Sequence, residues 1–293
     1  MSVLVQSQQS ARPLPATLRL GPVELTVTDL DRSVDWYQEA LGLHLHSRAD
    51  GRAELGDGES ASVTLVEDRD AQPAGRHAGL YHYALLYPSR EELARATVRL
   101  INTRTGIQGA SDHGTHEALY LADPDGNGIE LAADRPRDQW PSAEEEFSRG
   151  GPLPLDVENL LATVEGETPR ESIGDGLRVG HLHVHVGSIE EGLAFYRDVI
   201  GFDVWALIPS AAFVSAGGYH HHLGFNVWRG PGVPPAPEGS VGLRHWTLQV
   251  QAPEELEEIA GRLDEAGIAY EREGGGFIVR DPWQIAMRIE VAA

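Results

Sequence analysis

The chain repeats itself, and the copies differ at a few polar positions. The segment from Gly21 to Leu43 returns 159 positions later, from 21 to 180, as Gly180 to Phe202. Its pattern Val34, Trp36, Tyr37, Leu41, Gly42 reappears as Leu193, Phe195, Tyr196, Ile200, Gly201. Gly79-Leu-Tyr-His82-Tyr likewise matches Gly242-Leu-Arg-His245-Trp, and Asp123-Pro-Asp-Gly-Asn-Gly-Ile-Glu130 matches Asp281-Pro-Trp-Gln-Ile-Ala-Met-Arg288. Equivalent positions therefore hold Pro22 and His181, His82 and His245, Glu130 and Arg288. Repeated backbones with unequally polar positions suggest one working site and one that has lost it.

Each repeat reads as two units of the same pattern. A strand alternates at period two, with Val23, Leu25 and Val27 opposite Glu24, Thr26 and Thr28, and Leu182, Val184 and Val186 opposite His181, His183 and His185. An amphipathic helix follows, predicted over Leu30 to Leu41, Ser89 to Ile101, Ile189 to Ile200 and Pro253 to Ala266. Asp29 and Ser188 suit the N-cap, and Gly42, Gly201 and Gly267 the left-handed residue that ends a helix. Two or three strands with turn chemistry between them, such as Gly56-Asp-Gly58 and Asp125-Gly126-Asn127-Gly128, complete each unit. The expectation is an α+β fold of four βαβββ modules. An N-terminal arm spans 1–20, the two halves 21–134 and 178–293, and a connection 135–177 carries a short helix near Leu155 to Thr163. The acidic runs Glu144 to Glu146 and Glu254 to Glu258 read as solvated surface.

Composition narrows the function classes. The chain has 293 residues, enough to bury a substantial core. It has no Cys, which removes thiolate ligands, nucleophiles and disulfides. A formal net charge of −22 without a basic run argues against nucleic acid or an anionic membrane as partner. No run approaches ~18 consecutive apolar residues, and Met1 to Pro15 lacks the apolar core of a signal peptide. A cytoplasmic protein is expected, and a homo-oligomer is compatible with the sequence.

Gly79-Leu-Tyr-His-Tyr, Glu117 to Glu130, Val179-Gly-His-Leu-His and Ser215 to His222 carry a resemblance to the vicinal oxygen chelate superfamily. That superfamily includes glyoxalase I, bleomycin-resistance proteins and extradiol ring-cleaving dioxygenases, and the motifs most resemble bacterial four-module catechol 2,3-dioxygenases. The resemblance covers most of the chain. It implies that modules pair into cup-shaped mixed β-sheet barrels with helices outside and a metal within. Sequential pairing would place Pro22, His82 and Glu130 in one cup and His181, His245 and Arg288 in the other, both damaged. Nested pairing, first module with fourth and second with third, unites His82, Glu130 and His181. Two imidazoles and a carboxylate on one face form the arrangement of non-haem Fe(II) oxygenases, with open positions for substrate and dioxygen. His183 and His185 share the face of His181, either supporting the ligands or lining the cup.

The resemblance also implies proton-handling residues. Setting Ser215 to Phe225 against the corresponding family segment puts His221 at the acid-base histidine. Ten positions before Glu130 lies Tyr120, matching a tyrosine that hydrogen-bonds the substrate hydroxyl. A histidine precedes it in the family; His113 is the better match, two residues off in spacing, and His116 the alternative. The expectation is an Fe(II)-dependent extradiol dioxygenase, Mn(II) being the other candidate metal, that opens a catechol-like diol with dioxygen to a semialdehyde. One alternative is a glyoxalase-like lyase or isomerase using Zn(II), Ni(II) or Mn(II), for which Glu24 would supply a second carboxylate only under sequential pairing. A non-enzymatic binder of the bleomycin-resistance type is the other, and it would need an apolar cleft without metal.

Overall fold

The computed structural model describes residues 8–292; of the arm expected over 1–20, residues 1–7 lie outside the described residues. The first module comprises β1 (Arg19–Val27), α1 (Leu30–Leu41), β2 (His44–Ala49), β3 (Arg52–Gly56) and β4 (Ala61–Glu67). The second comprises β5 (Gly79–Tyr87), α2 (Arg90–Asn102), β6 (Gly109–Asp112), β7 (His116–Ala122) and β8 (Gly128–Asp134). A connection follows with α3 (Ala143–Ser148), β9 (Leu153–Pro154) and α4 (Val157–Ala162), the last at the helix expected near Leu155 to Thr163. The third module has β10 (Arg178–His185), α5 (Ile189–Leu193), β11 (Asp203–Ile208), β12 (Ala211–Ser215) and β13 (Leu223–Asn226). The fourth has β14 (Gly242–Val250), α6 (Pro253–Ala266), β15 (Tyr270–Glu273), β16 (Gly276–Arg280) and β17 (Ala286–Val291).

The helices start and stop where capping chemistry dictates. The Asp29 side chain accepts the Arg32 N–H at 3.0 Å, and Ser188 accepts that of Glu191 at 3.3 Å. Gly42, Gly201 and Gly267 all lie at positive φ. One helix departs from expectation: after α5 the chain widens into a π-helix over Ala194–Ile200, and the Gly201 N–H reaches back five residues to the Tyr196 carbonyl. The wider winding puts Phe195, Tyr196 and Ile200 all on the buried side.

The strands form two mixed sheets. One runs β15-β16-β17-β14-β1-β4-β3-β2, the other β11-β12-β13-β10-β5-β8-β7-β6-β9. The first module thus shares a sheet with the fourth and the second with the third, the nested pairing. The seams are the antiparallel pairs β1–β14 and β5–β10. Both sheets have free edges, so each is an open cup rather than a closed barrel. The cups explain a departure from simple alternation: Val23, Leu25 and Val27 are fully buried, and Glu24 and Thr26 on the other face are buried as well.

Buried polar clips tie the sequence-adjacent modules across the two sheets. The Tyr37 hydroxyl donates to Asp123 at 3.1 Å, and its repeat partner Tyr196 donates to Asp281 at 2.8 Å. Asp123 also accepts the N–H groups of Asp125 and Asn127 and so closes the turn before β8.

Candidate metal centre

The site is built where β5, β8 and β10 lie side by side. In β10 the pairing passes from Val179–Leu85 to Leu182–Tyr83, so Gly180 and His181 bulge opposite the single residue Ala84. Gly180 permits this, because a Cβ there would stand 2.8 Å from the Leu86 Cβ. His82 stands on β5 and pairs with His183, while Glu130 lies on β8 beside Ala84. The Glu130 carboxylate Oε2 is 3.1 Å from both His82 Nε2 and His181 Nε2. All three residues are buried, and their candidate ligand atoms lie within 4.8 Å of one another.

Electrostatics suit this trio to a divalent cation. Burial pushes His181 down to about 4, outweighing the neighbouring carboxylate, so its imidazole is neutral with a lone pair to give. Burial alone would raise Glu130, but the attraction of His181 and the contacts with His116 and His82 hold it well below the usual carboxylate range. A buried carboxylate facing two imidazole nitrogens is the donor set expected of a divalent-metal site.

The other residues singled out from the sequence gather around this trio. Tyr120 on β7 sits directly across from Glu130, and its hydroxyl is 2.8 Å from His113 Nε2. His113, on the turn between β6 and β7, stacks against His116 at 4.3 Å between ring centroids. The two histidines contact different groups: His113 meets Tyr120, whereas His116 Nε2 is 3.0 Å from Glu130 Oε1. His221 lies on the loop between β12 and β13, its ring 4.2 Å from that of His181, and burial with the crowding of His181 and His220 drives it well below the usual histidine range. Burial and the nearby His116 also lower His113.

Of the two further β10 histidines, His183 stands beside Gly224, where a Cβ would come within 3.0 Å of the imidazole. Its Nε2 is buried without a hydrogen-bond partner. His185 Nδ1 lies 2.8 Å from Asn226 Oδ1, and its ring lies 5.0 Å from that of Tyr81.

Several contributors were not singled out from the sequence. His220 Nδ1 lies 2.8 Å from His221 Nδ1, and its Nε2 lies 3.2 Å from Asp134. Tyr81, Phe213 and Trp228 pack around His183 at 5.4, 5.6 and 5.2 Å, with Tyr81 and Trp228 partly open to solvent. For Tyr81 and His220 the signal in the sequence was adjacency, in Tyr81-His82 and in the run Tyr219 to His222; Phe213 and Trp228 carried none. Glu146 corrects an expectation: rather than solvated surface, it is 5% exposed, with Oε1 3.7 Å from His113 Nδ1.

Turn geometry at the β8 entrance makes the site sensitive to one methyl group. A Cβ on Gly128 would stand 2.0 Å from the Tyr81 carbonyl oxygen and 3.3 Å from the His82 Cα. Gly128→Ala must therefore push β8 from β5 and separate Glu130 from His82. We expect a loss of roughly 1–3 kcal/mol in stability, as for other overpacked sites, with reduced metal uptake. Unchanged denaturant midpoint and metal content would contradict this.

The repeat-equivalent cup is different. Pro22, His245 and Arg288 line a cavity of about 600 Å³ together with Glu24, Arg52 and Arg244. Their surroundings are largely polar and ion-paired. Glu24 pairs with Arg52 and, at 2.9 Å, with Arg244; Arg288 pairs with Glu273 at 3.0 Å and Glu290 at 2.7 Å. His245→Ala should leave metal content unchanged, which metal analysis beside the wild type would check.

This chain belongs to the Glyoxalase/Bleomycin resistance protein/Dioxygenase superfamily, whose family model matches residues 19–131 and again 178–289. Among curated relatives, the catechol-2,3-dioxygenase of Bacillus subtilis (strain 168) is 41% identical over 268 residues, covering 90% of this chain and 93% of the relative. Solved structures share the fold. A putative dioxygenase from Bacillus subtilis subsp. subtilis str. 168 aligns with a TM-score of 0.66 at 12% identity over 96% of this chain and 86% of its own. Glyoxalase I from Zea mays aligns at 0.58 and 17% identity over 94% and 92%.

Proposed function

We propose that this protein is an extradiol dioxygenase that cleaves a catechol-like diol with dioxygen to a ring-opened semialdehyde, using Fe(II) held by His82, Glu130 and His181. The observation that carries this reading is the nested sheet, which assembles two imidazoles and one carboxylate from three separate strands. The 41% identity to a catechol-2,3-dioxygenase supports the substrate class. Bound there, the iron would bring diol and dioxygen together and carry charge between them.

The chain's own groups handle the protons. If Asp134 accepts the Nε2–H of a neutral His220, His220 Nδ1 is left as an acceptor for the Nδ1–H of His221. His221 Nε2 then carries a free lone pair and serves as the acid-base group. Tyr120, backed by His113, hydrogen-bonds a hydroxyl of the diol. Tyr81, Phe213 and Trp228 offer aromatic edges and faces to the substrate ring. Glu24, the carboxylate a glyoxalase-like reading would recruit, lies in the other cup under two arginines, which disfavours the lyase alternative. A buried ionised carboxylate between imidazoles likewise disfavours a purely apolar binder.

The test is metal analysis combined with oxygen uptake on plain catechol. Stoichiometric iron, oxygen consumption and a ring-opened product are expected. Iron-loaded protein that opens no catechol ring would sink the proposal.

A further inference from the structure

The connection between the second and third modules delivers to the cup a carboxylate that the reading above leaves without a task. Glu146 is buried, and its Oε2 has no hydrogen-bond partner. Buried polar atoms are nearly always paired, so an exception calls for a reason. Its other oxygen, Oε1, lies 3.7 Å from His113 Nδ1, and His113 Nε2 lies 2.8 Å from the Tyr120 hydroxyl. Carboxylate, imidazole and phenol thus form a row that ends opposite Glu130.

The helix is held so that this row persists. Ser142 caps α3 through the Glu145 N–H, and the Glu145 carboxylate accepts the Ser142 N–H at 2.7 Å in return. Phe147 packs against Trp205 and Phe213 of the third module at 6.3 and 5.6 Å between centroids, which turns its neighbour Glu146 inward.

The chemistry of the row depends on one proton. A neutral imidazole carries a single N–H, on Nδ1 or on Nε2. A carboxylate beside Nδ1 favours the proton there, which leaves Nε2 as acceptor for the Tyr120 O–H and turns the phenol lone pairs toward the cup. The other tautomer reverses the row, and the phenol proton would then point into the cup. We propose that Glu146 is a positioning residue that holds His113 as its Nδ1–H tautomer and thereby makes Tyr120 the hydrogen-bond acceptor for a hydroxyl of the bound diol. The part concerning the diol rests on the ring-cleavage reading; the tautomer does not. At 3.7 Å the carboxylate acts on the Nδ1 proton through its charge, which is weakly screened in a buried site.

The tautomer is read in the metal-free protein by long-range 1H–15N correlation of the histidine rings, with His113 assigned from its absence in His113→Gln. Wild type should carry the proton on Nδ1, and Glu146→Leu should move at least half of the population to Nε2. Glu146→Met is close in length and carries no carboxylate or amide acceptor, and, should the Leu variant fail to fold, it decides by the same shift. A proton on Nε2 in wild type, or an unchanged tautomer in the folded variants, overturns the proposal. A kinetic arm uses iron-loaded enzyme and plain catechol. Glu146→Met should lower kcat about tenfold with KM and iron content within about twofold, and should add nothing in a His113→Ala background. Equal losses in both backgrounds would mean a role independent of His113 and overturn it. Failure of iron-loaded wild type to open a ring would sink the extradiol reading alone, because the tautomer is read without metal or substrate.

Discussion

Replacing His82, His181 or Glu130 with Ala is expected to abolish bound iron and turnover together. Each contributes one of three buried donor atoms, and Glu130 Oε2 is the point on which both imidazole nitrogens converge. Removing one leaves two protein ligands, and the carboxylate variant also leaves the charge of the ion uncompensated in a buried site. Losing a group that merely supports a ligand typically costs 10–100-fold, so the loss here should exceed roughly 10³-fold in oxygen uptake. The expected pattern is joint collapse in all three variants, with cooperative unfolding retained. A variant that keeps stoichiometric iron would remove that residue from the ligand set. His245→Ala is the matched control from the other cup.

His221→Ala is expected to separate binding from chemistry. The residue stands on a loop rather than on the strands that carry the candidate ligands, and its ring lies 4.2 Å from that of His181. Without it, iron and catechol should still bind while turnover falls by about 10²–10⁴-fold, the usual contribution of a general acid-base group. Iron stoichiometry, the anaerobic catechol-complex spectrum and oxygen uptake, measured side by side, check this. Near-normal turnover would move the role to His113 or His116. Combined loss of iron and activity would instead place His221 among the groups that build the site.

The local elements of this fold are written in local chemistry. Asp29 and Ser188 cap because their side chains reach an N–H three residues on, and Gly42, Gly201 and Gly267 end helices because only a residue without Cβ enters the left-handed region freely. The trio of candidate ligands was legible for a different reason. Two copies of one backbone differ at Pro22 and His181, His82 and His245, Glu130 and Arg288, and only nested pairing makes one set complete. The sheet order shows that pairing.

Other features depend on packing that no local pattern encodes. The bulge at Gly180 and His181 depends on the neighbouring strand, since its register is counted against Ala84 about a hundred residues earlier. Glu146 belongs to an acidic run that reads as solvated, and only the docking of Phe147 against Trp205 and Phe213 turns it toward His113. The contacts Asp134–His220–His221 join a strand end of the second module to a loop of the third. The four βαβββ modules, their caps and the unequal repeat can be read along the chain, because they depend on side chains within a few residues or on comparing one copy with another. Which histidines and tyrosines face one another, and which carboxylates are buried, emerges from the folded arrangement, because it depends on where distant segments come to rest.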